Sequence, residues 1–112
     1  MAIKKYDVTI ARRADSMMLS HTEFLAQVSS AAAQRLITEF KKAIKRIEDN
    51  PFQFPFADEL DVPGIPLKMY RKCFFCGRYK ALFTVENDDA YIDSIIDCRQ
   101  ENKNLYNEER EV

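Results

Sequence analysis

The sequence predicts an α+β fold: an N-terminal strand, a two-helix hairpin and a three-strand antiparallel meander, with the helices packed on one twisted sheet. Three observations carry this. Residues 5–10 alternate polar and apolar with period two, residues 14–49 hold two apolar stripes at helical spacing, and residues 67–98 hold three short alternating runs separated by turn residues.

Lys5-Tyr6-Asp7-Val8-Thr9-Ile10 places Tyr6, Val8 and Ile10 on one side, as a strand with one buried face requires. Ala14 to Val28 then repeats apolar or compatible residues at 14, 17, 18, 21, 24, 25 and 28, a stripe wide enough to face a core. Ser29 and Ser30 break this helix and can cap the next, since a hydroxyl accepts from the orphaned amides of a helix start. The second helix runs from Ala31 to about Asp49, with Ala33, Leu36, Ile37, Phe40, Ile44 and Ile47 inward and a solvated face of lysine, arginine and glutamate. Asn50-Pro51 stops it, because the residue before proline is pushed toward extended geometry. Two amphipathic helices need a sheet to cover them.

All four prolines fall between Pro51 and Pro66, so this stretch is a loop, and its Phe52, Phe54 and Phe56 are expected to clamp it onto the core. Leu67–Phe75, Tyr79–Glu86 and Ala90–Cys98 follow as strands, with Tyr79, Ala81, Phe83 and Val85 on one face. Cys76-Gly77 and Asn87-Asp88-Asp89 form the turns. A chain of 112 residues fits one domain spanning 1–112, with a loose end expected from about 107.

Three cysteines, an odd number, do not suit a disulfide framework, and there is no apolar leader and no long apolar run, so a cytoplasmic protein with no membrane span is expected. Cys73 and Cys76 have the spacing of half a zinc site or of a redox pair. Only Cys98 and His21 remain as further ligands, and a hairpin lacks the helix N-terminus that activates a redox thiol, so neither a metal nor a cofactor is expected. His21 lies on the apolar stripe of the first helix, where a hydrogen-bonded, partly buried ring is expected. Nucleophile-elbow, phosphate-loop and paired-carboxylate patterns are missing, which argues against most ordinary hydrolases and cofactor enzymes.

The formal net charge is −1, yet Lys68, Arg71, Lys72, Arg78 and Lys80 crowd between Val62 and Ala81 with no acidic residue among them. Either this is a solvated strand face, or it is a surface for an anionic ligand. Together with Arg99 and Tyr106, such cations could bind phosphates and stabilise charge growing on a phosphoryl oxygen without a metal.

The opening strand, the helix pair ending Ile44-Lys45-Arg46-Ile47-Glu48-Asp49-Asn50-Pro51-Phe52, the strand Arg78-Tyr79-Lys80-Ala81-Leu82-Phe83-Thr84-Val85 and the run Ile96-Asp97-Cys98-Arg99-Gln100 together resemble the RelE/ParE superfamily of type II toxins. The resemblance runs from Tyr6 to about Tyr106. It implies a toxin of a toxin–antitoxin system, neutralised by a cognate antitoxin protein. RelE-like members cleave mRNA on the ribosome as metal-independent endoribonucleases, ParE-like members inhibit DNA gyrase, and some homologues are inert. Carried over by position, the cleavage residues would be Lys68, Arg71 or Lys72, Lys80, Arg99 or Gln100, and Tyr106. Lys80 stands where the family pattern has an arginine, and a lysine cannot supply the planar fork. The RelE-like activity is the leading expectation. The gyrase activity and a nontoxic partner-binding protein of the same fold are the alternatives.

Overall fold

The computed structural model describes residues 5–99. Strand β1 (Asp7–Ile10) leads into helix α1 (Arg12–Ala26) and helix α2 (Ser30–Asp49). A short 3-10 turn (Pro51–Gln53) and a long loop follow, and then come β2 (Arg71–Phe75), β3 (Tyr79–Glu86) and β4 (Asp89–Asp97). The sheet order is β1-β4-β3-β2, with β1 parallel to β4 and the other pairs antiparallel. A parallel partner needs a crossover, and here the helices and the first two meander strands intervene between β1 and β4.

Ser29 caps α2: its hydroxyl accepts from the Ala32 amide at 3.1 Å. Ala33, Leu36, Phe40, Ala43 and Ile47 form its buried stripe, which matches the expected one except that Ala43 is buried and Ile37 and Ile44 only partly so. Helix α1 ends at Ala26 and buries Ala14 and Met18, while Phe24 and Val28, expected on the stripe, are exposed because the chain turns away toward α2.

The core lies between the helices and one sheet face. Tyr79, Ala81 and Phe83 of β3 meet Cys73 and Phe75 of β2 and Ala90, Ile92 and Ile95 of β4. The three-residue step from Ile92 to Ile95 breaks strand alternation. A bulge absorbs it: Leu82 pairs with Ser94 and Phe83 with Ile92, leaving Asp93 as the extra residue that lets both isoleucines face inward.

Strand β2 is shorter than the predicted Leu67–Phe75. Residues 67–69 form a turn in which Lys68 adopts φ +56°, and the strand begins at Arg71. The loop from 54 to 66 crosses to the other side of the sheet. Phe54 is buried in the main core edge-to-face with Phe83, whereas Phe52 and Phe56 are largely exposed. Beyond them, Ala57 and Ile65 pack on Leu82, with Val62, Tyr70 and Ile96 around them, as a second small cluster on the outer sheet face.

Candidate functional site

The cations crowded between 62 and 81 do not form one constellation. Strand alternation and the loop sort them into four places.

Arg71 lies at the start of β2, on the helix side. Its guanidinium donates to the Phe54 carbonyl at 2.7 Å and lies 4.1 Å from the Phe56 ring centroid and 5.2 Å from that of Phe52. The two exposed phenylalanines therefore flank an arginine, a geometry in which the planar cation stacks on the rings. Arg46, from the last turn of α2, lies 5.0 Å from the Phe54 centroid on the same segment.

Lys72 and Lys80 lie on the outer face, and both reach Asp61 of the loop. Lys72 Nζ donates to Asp61 Oδ1 at 3.0 Å and Oδ2 at 2.8 Å, while Lys80 Nζ reaches Oδ1 at 3.3 Å and the Asp61 carbonyl at 3.2 Å. The Asp58 amide donates to Oδ2 at 2.9 Å. Lys80 and Asp61 are buried, at 4% and 6% exposure, so each charge has been taken out of water and needs the other. Burial alone would raise the Asp61 carboxyl, but the hydrogen bonds from Lys72, the Asp58 amide and Lys80 outweigh it and hold the group below its ordinary range. A shallow depression lined by Val62, Ile65, Tyr70, Leu82 and Ile96, with Arg13 and Asp93 also at its wall, adjoins this face.

Arg78 lies just before β3. Its Nε and Nη2 donate to the two oxygens of Asp97 at 3.2 and 2.6 Å, and the Arg99 amide donates to Asp97 Oδ1 at 3.0 Å. The hydrogen bonds from its own guanidinium to Asp97 hold Arg78 above its ordinary range against burial.

Of the residues nominated from the sequence, Lys80 is thus buried in an ion pair and Arg71 is stacked between rings. Lys68 is exposed on the turn before β2, and Arg99 is exposed just past β4. Gln100 and Tyr106 lie outside the described residues. Among the described residues, Lys68, Arg71 and Arg99 have no ion-pair partner. The residue that sequence reasoning missed is Asp61. It stands one position before the acid-free stretch begins, and the run Asp58-Glu59-Leu60-Asp61 directly ahead of five cations was the available signal.

His21 behaves as a structural histidine. Its Nε2 lies 2.9 Å from the Ile95 carbonyl, to which it donates, and its ring packs 5.1 Å from Tyr79. Cys73 is buried, and burial pushes its thiol up to about 11, the opposite of an activated nucleophile. Among the described residues, no group of three or more His, Cys, Asp or Glu side chains is placed to hold a metal ion, and no helix is long and apolar enough to cross a membrane.

No protein-family model matches the sequence, and no curated protein matches it. Among solved structures, a chain from the chromosomal ParDE TA system of P. aeruginosa is similar, with a TM-score of 0.64 and 12% sequence identity. The match covers 83% of this chain and 96% of that one. The chain thus shares the fold of that ParDE-system chain, in agreement with the RelE/ParE-like resemblance of its sequence.

Proposed function

We propose that this chain is the toxin component of a type II toxin–antitoxin pair, held by a cognate antitoxin, and that it stops growth by binding a protein target, DNA gyrase first, rather than by cutting mRNA. The shared fold supports the first part. The second rests on one observation: Asp61 already takes up Lys72 and Lys80, so the outer face does not offer converged cations to a scissile phosphate. A cleavage site has to present its charges where negative charge develops in the transition state.

The test is tightly controlled expression in bacteria, with and without a neighbouring candidate antitoxin, followed by a supercoiling assay on the purified chain. Growth arrest relieved by the antitoxin, with supercoiling inhibited, supports the proposal, and the K68A–R99A double variant should then stay toxic. Loss of toxicity in that folded variant, with cut mRNA in cells making the native chain, would turn the assignment to ribosome-dependent cleavage. Normal growth at a verified level of folded protein would leave a partner-binding protein of the same fold.

A further inference from the structure

The depression on the outer sheet face has a volume of about 220 Å³. That is below the roughly 300 Å³ at which pockets take drug-sized ligands, and it suits a guest with one aliphatic side chain. Sheet and loop both supply its floor: Leu82 and Ile96 from the strands, Val62 and Ile65 from the loop. The loop wall is fixed, because Asp61, immediately before Val62, is fastened to Lys72 and Lys80, and the Ile65 amide donates to the Val62 carbonyl at 3.2 Å. The cavity is therefore formed before any guest arrives.

Three polar side chains line this apolar floor, one of each kind: a cation, Arg13, an anion, Asp93, and a hydroxyl, Ser94. Ser94 pairs with Leu82 across β4 and β3, so both side chains stand on the outer face. Ser94 is 2% exposed, and its hydroxyl bonds to no described residue. Among the described residues the one fully enclosed side-chain oxygen without a hydrogen-bond partner belongs to Glu39, so the sliver of Ser94 left open includes its hydroxyl, at the depression. Arg13 and Asp93 form no ion pair, either with each other or with any other described residue. Opposite charges that share the wall of one apolar cavity and do not pair are complementary to a guest that carries both signs.

We infer that this depression binds an apolar α-amino acid as its zwitterion, with the side chain on Val62, Ile65, Leu82 and Ile96, the carboxylate at Arg13, the ammonium at Asp93 and the Ser94 hydroxyl as a further hydrogen-bond partner inside the cavity. Leucine or isoleucine carries both charges on one carbon, next to an aliphatic body of the cavity's size. A polypeptide terminus carries only one of the two charges, and a hydrocarbon carries neither. The site is independent of the growth target, and it lies apart from the Arg71 stack and the Arg78–Asp97 pair.

The test titrates L-leucine into the full chain at neutral pH and follows the backbone amide resonances. Shifts should centre on Val62, Ile65, Leu82 and Ser94 and saturate with a dissociation constant on the order of 1 mM. N-acetyl-leucine, which keeps only the carboxylate, and leucinamide, which keeps only the ammonium, should each bind about fivefold more weakly. Glycine, with no side chain to bury, should not saturate over the same range. The variants should mirror the analogues. D93N should bind leucine no better than native protein binds N-acetyl-leucine, and R13Q no better than native protein binds leucinamide. S94A should weaken leucine about two- to fivefold. Where a variant fails to fold, the analogue series on native protein decides by itself. No saturable shift at about ten times that concentration, shifts centred elsewhere, or folded R13Q and D93N that bind leucine as native protein does would overturn the site. Leucinamide or N-acetyl-leucine binding as tightly as leucine would overturn the zwitterion and leave a polypeptide terminus as the guest.

Discussion

Asp97 and Arg78 close a two-point fork at the end of the meander, with Nη2 2.6 Å and Nε 3.2 Å from the two carboxylate oxygens. Asp97 is the last residue of β4 and its side chain is 2% exposed, while Arg78 comes from the β2–β3 turn. The fork therefore ties the turn to the end of a strand two elements later, beside the backbone bond from the Cys98 amide to the Arg78 carbonyl. Removing the carboxylate leaves a partly buried guanidinium without its partner. D97A should lose about 3 kcal/mol in denaturant unfolding, whereas R78K, which keeps the charge but not the fork, should lose about 1–2 kcal/mol. Equal losses would mean that charge alone matters here.

Asp61 makes a prediction about pH. Its carboxyl is held below the ordinary range in the folded chain, so the folded state binds this proton more weakly than the unfolded state does. Stability from this group is complete above the unfolded carboxylate pKa of about 3.9 and drains away as the pH falls through the lower folded value. Native protein should therefore lose stability relative to D61N on going below about pH 4, where the amide has no proton to gain. Parallel acid-unfolding curves for the two proteins would contradict the pairing with Lys72 and Lys80.

The helix–sheet framework was legible because it is periodic. Alternation in Tyr79–Glu86 identified β3 to the residue, and the α2 stripe was right apart from Ala43, which is buried, and Ile37 and Ile44, which are only partly so. Misplaced features fall where period breaks down. Leu67 to Tyr70 looks extended by composition, but Lys68 takes a left-handed conformation and turns the chain before β2. Asp93 bulges out of β4, so the inward residues of that strand do not follow a strict alternation. The largest gap was the loop: Ala57, Asp61 and Ile65 lie four residues apart in a proline-rich stretch that forms neither helix nor strand, so their spacing predicts no face, and only the fold brings them over Leu82, Lys72 and Lys80. Of the cations that looked uncompensated along the chain, Lys72, Arg78 and Lys80 are compensated across it.

The phenylalanines of the loop should separate cleanly. Phe54 is buried and packs at 87° on Phe83, with ring centroids 5.7 Å apart. Phe52 is 52% exposed and touches the edge of Tyr6 and the guanidinium of Arg71. F54A should cost about 3–4 kcal/mol, from lost burial plus the cavity left behind. F52A should cost under about 1 kcal/mol, the scale of an exposed cation–π contact. Comparable melting temperatures for the two variants would show that the loop is not anchored through Phe54.

The three thiols should divide by reactivity. Cys73, on β2, is buried in the main core with its thiol pushed up to about 11, so at pH 8 it holds almost no thiolate and is closed to reagent. Cys76, in the turn, and Cys98, past β4, are only half-buried. A thiol-specific reagent at pH 8 should label two sites promptly and the third only on unfolding, and peptide mapping should place the protected site at Cys73. Because labelling of a core cysteine reports opening of the helix–sheet packing, its rate should follow global stability and rise in F54A. Prompt labelling of all three in folded native protein would contradict the burial of Cys73. Protection of Cys73 that persisted unchanged in F54A would show that the β2 edge stays closed without the Phe54 contact.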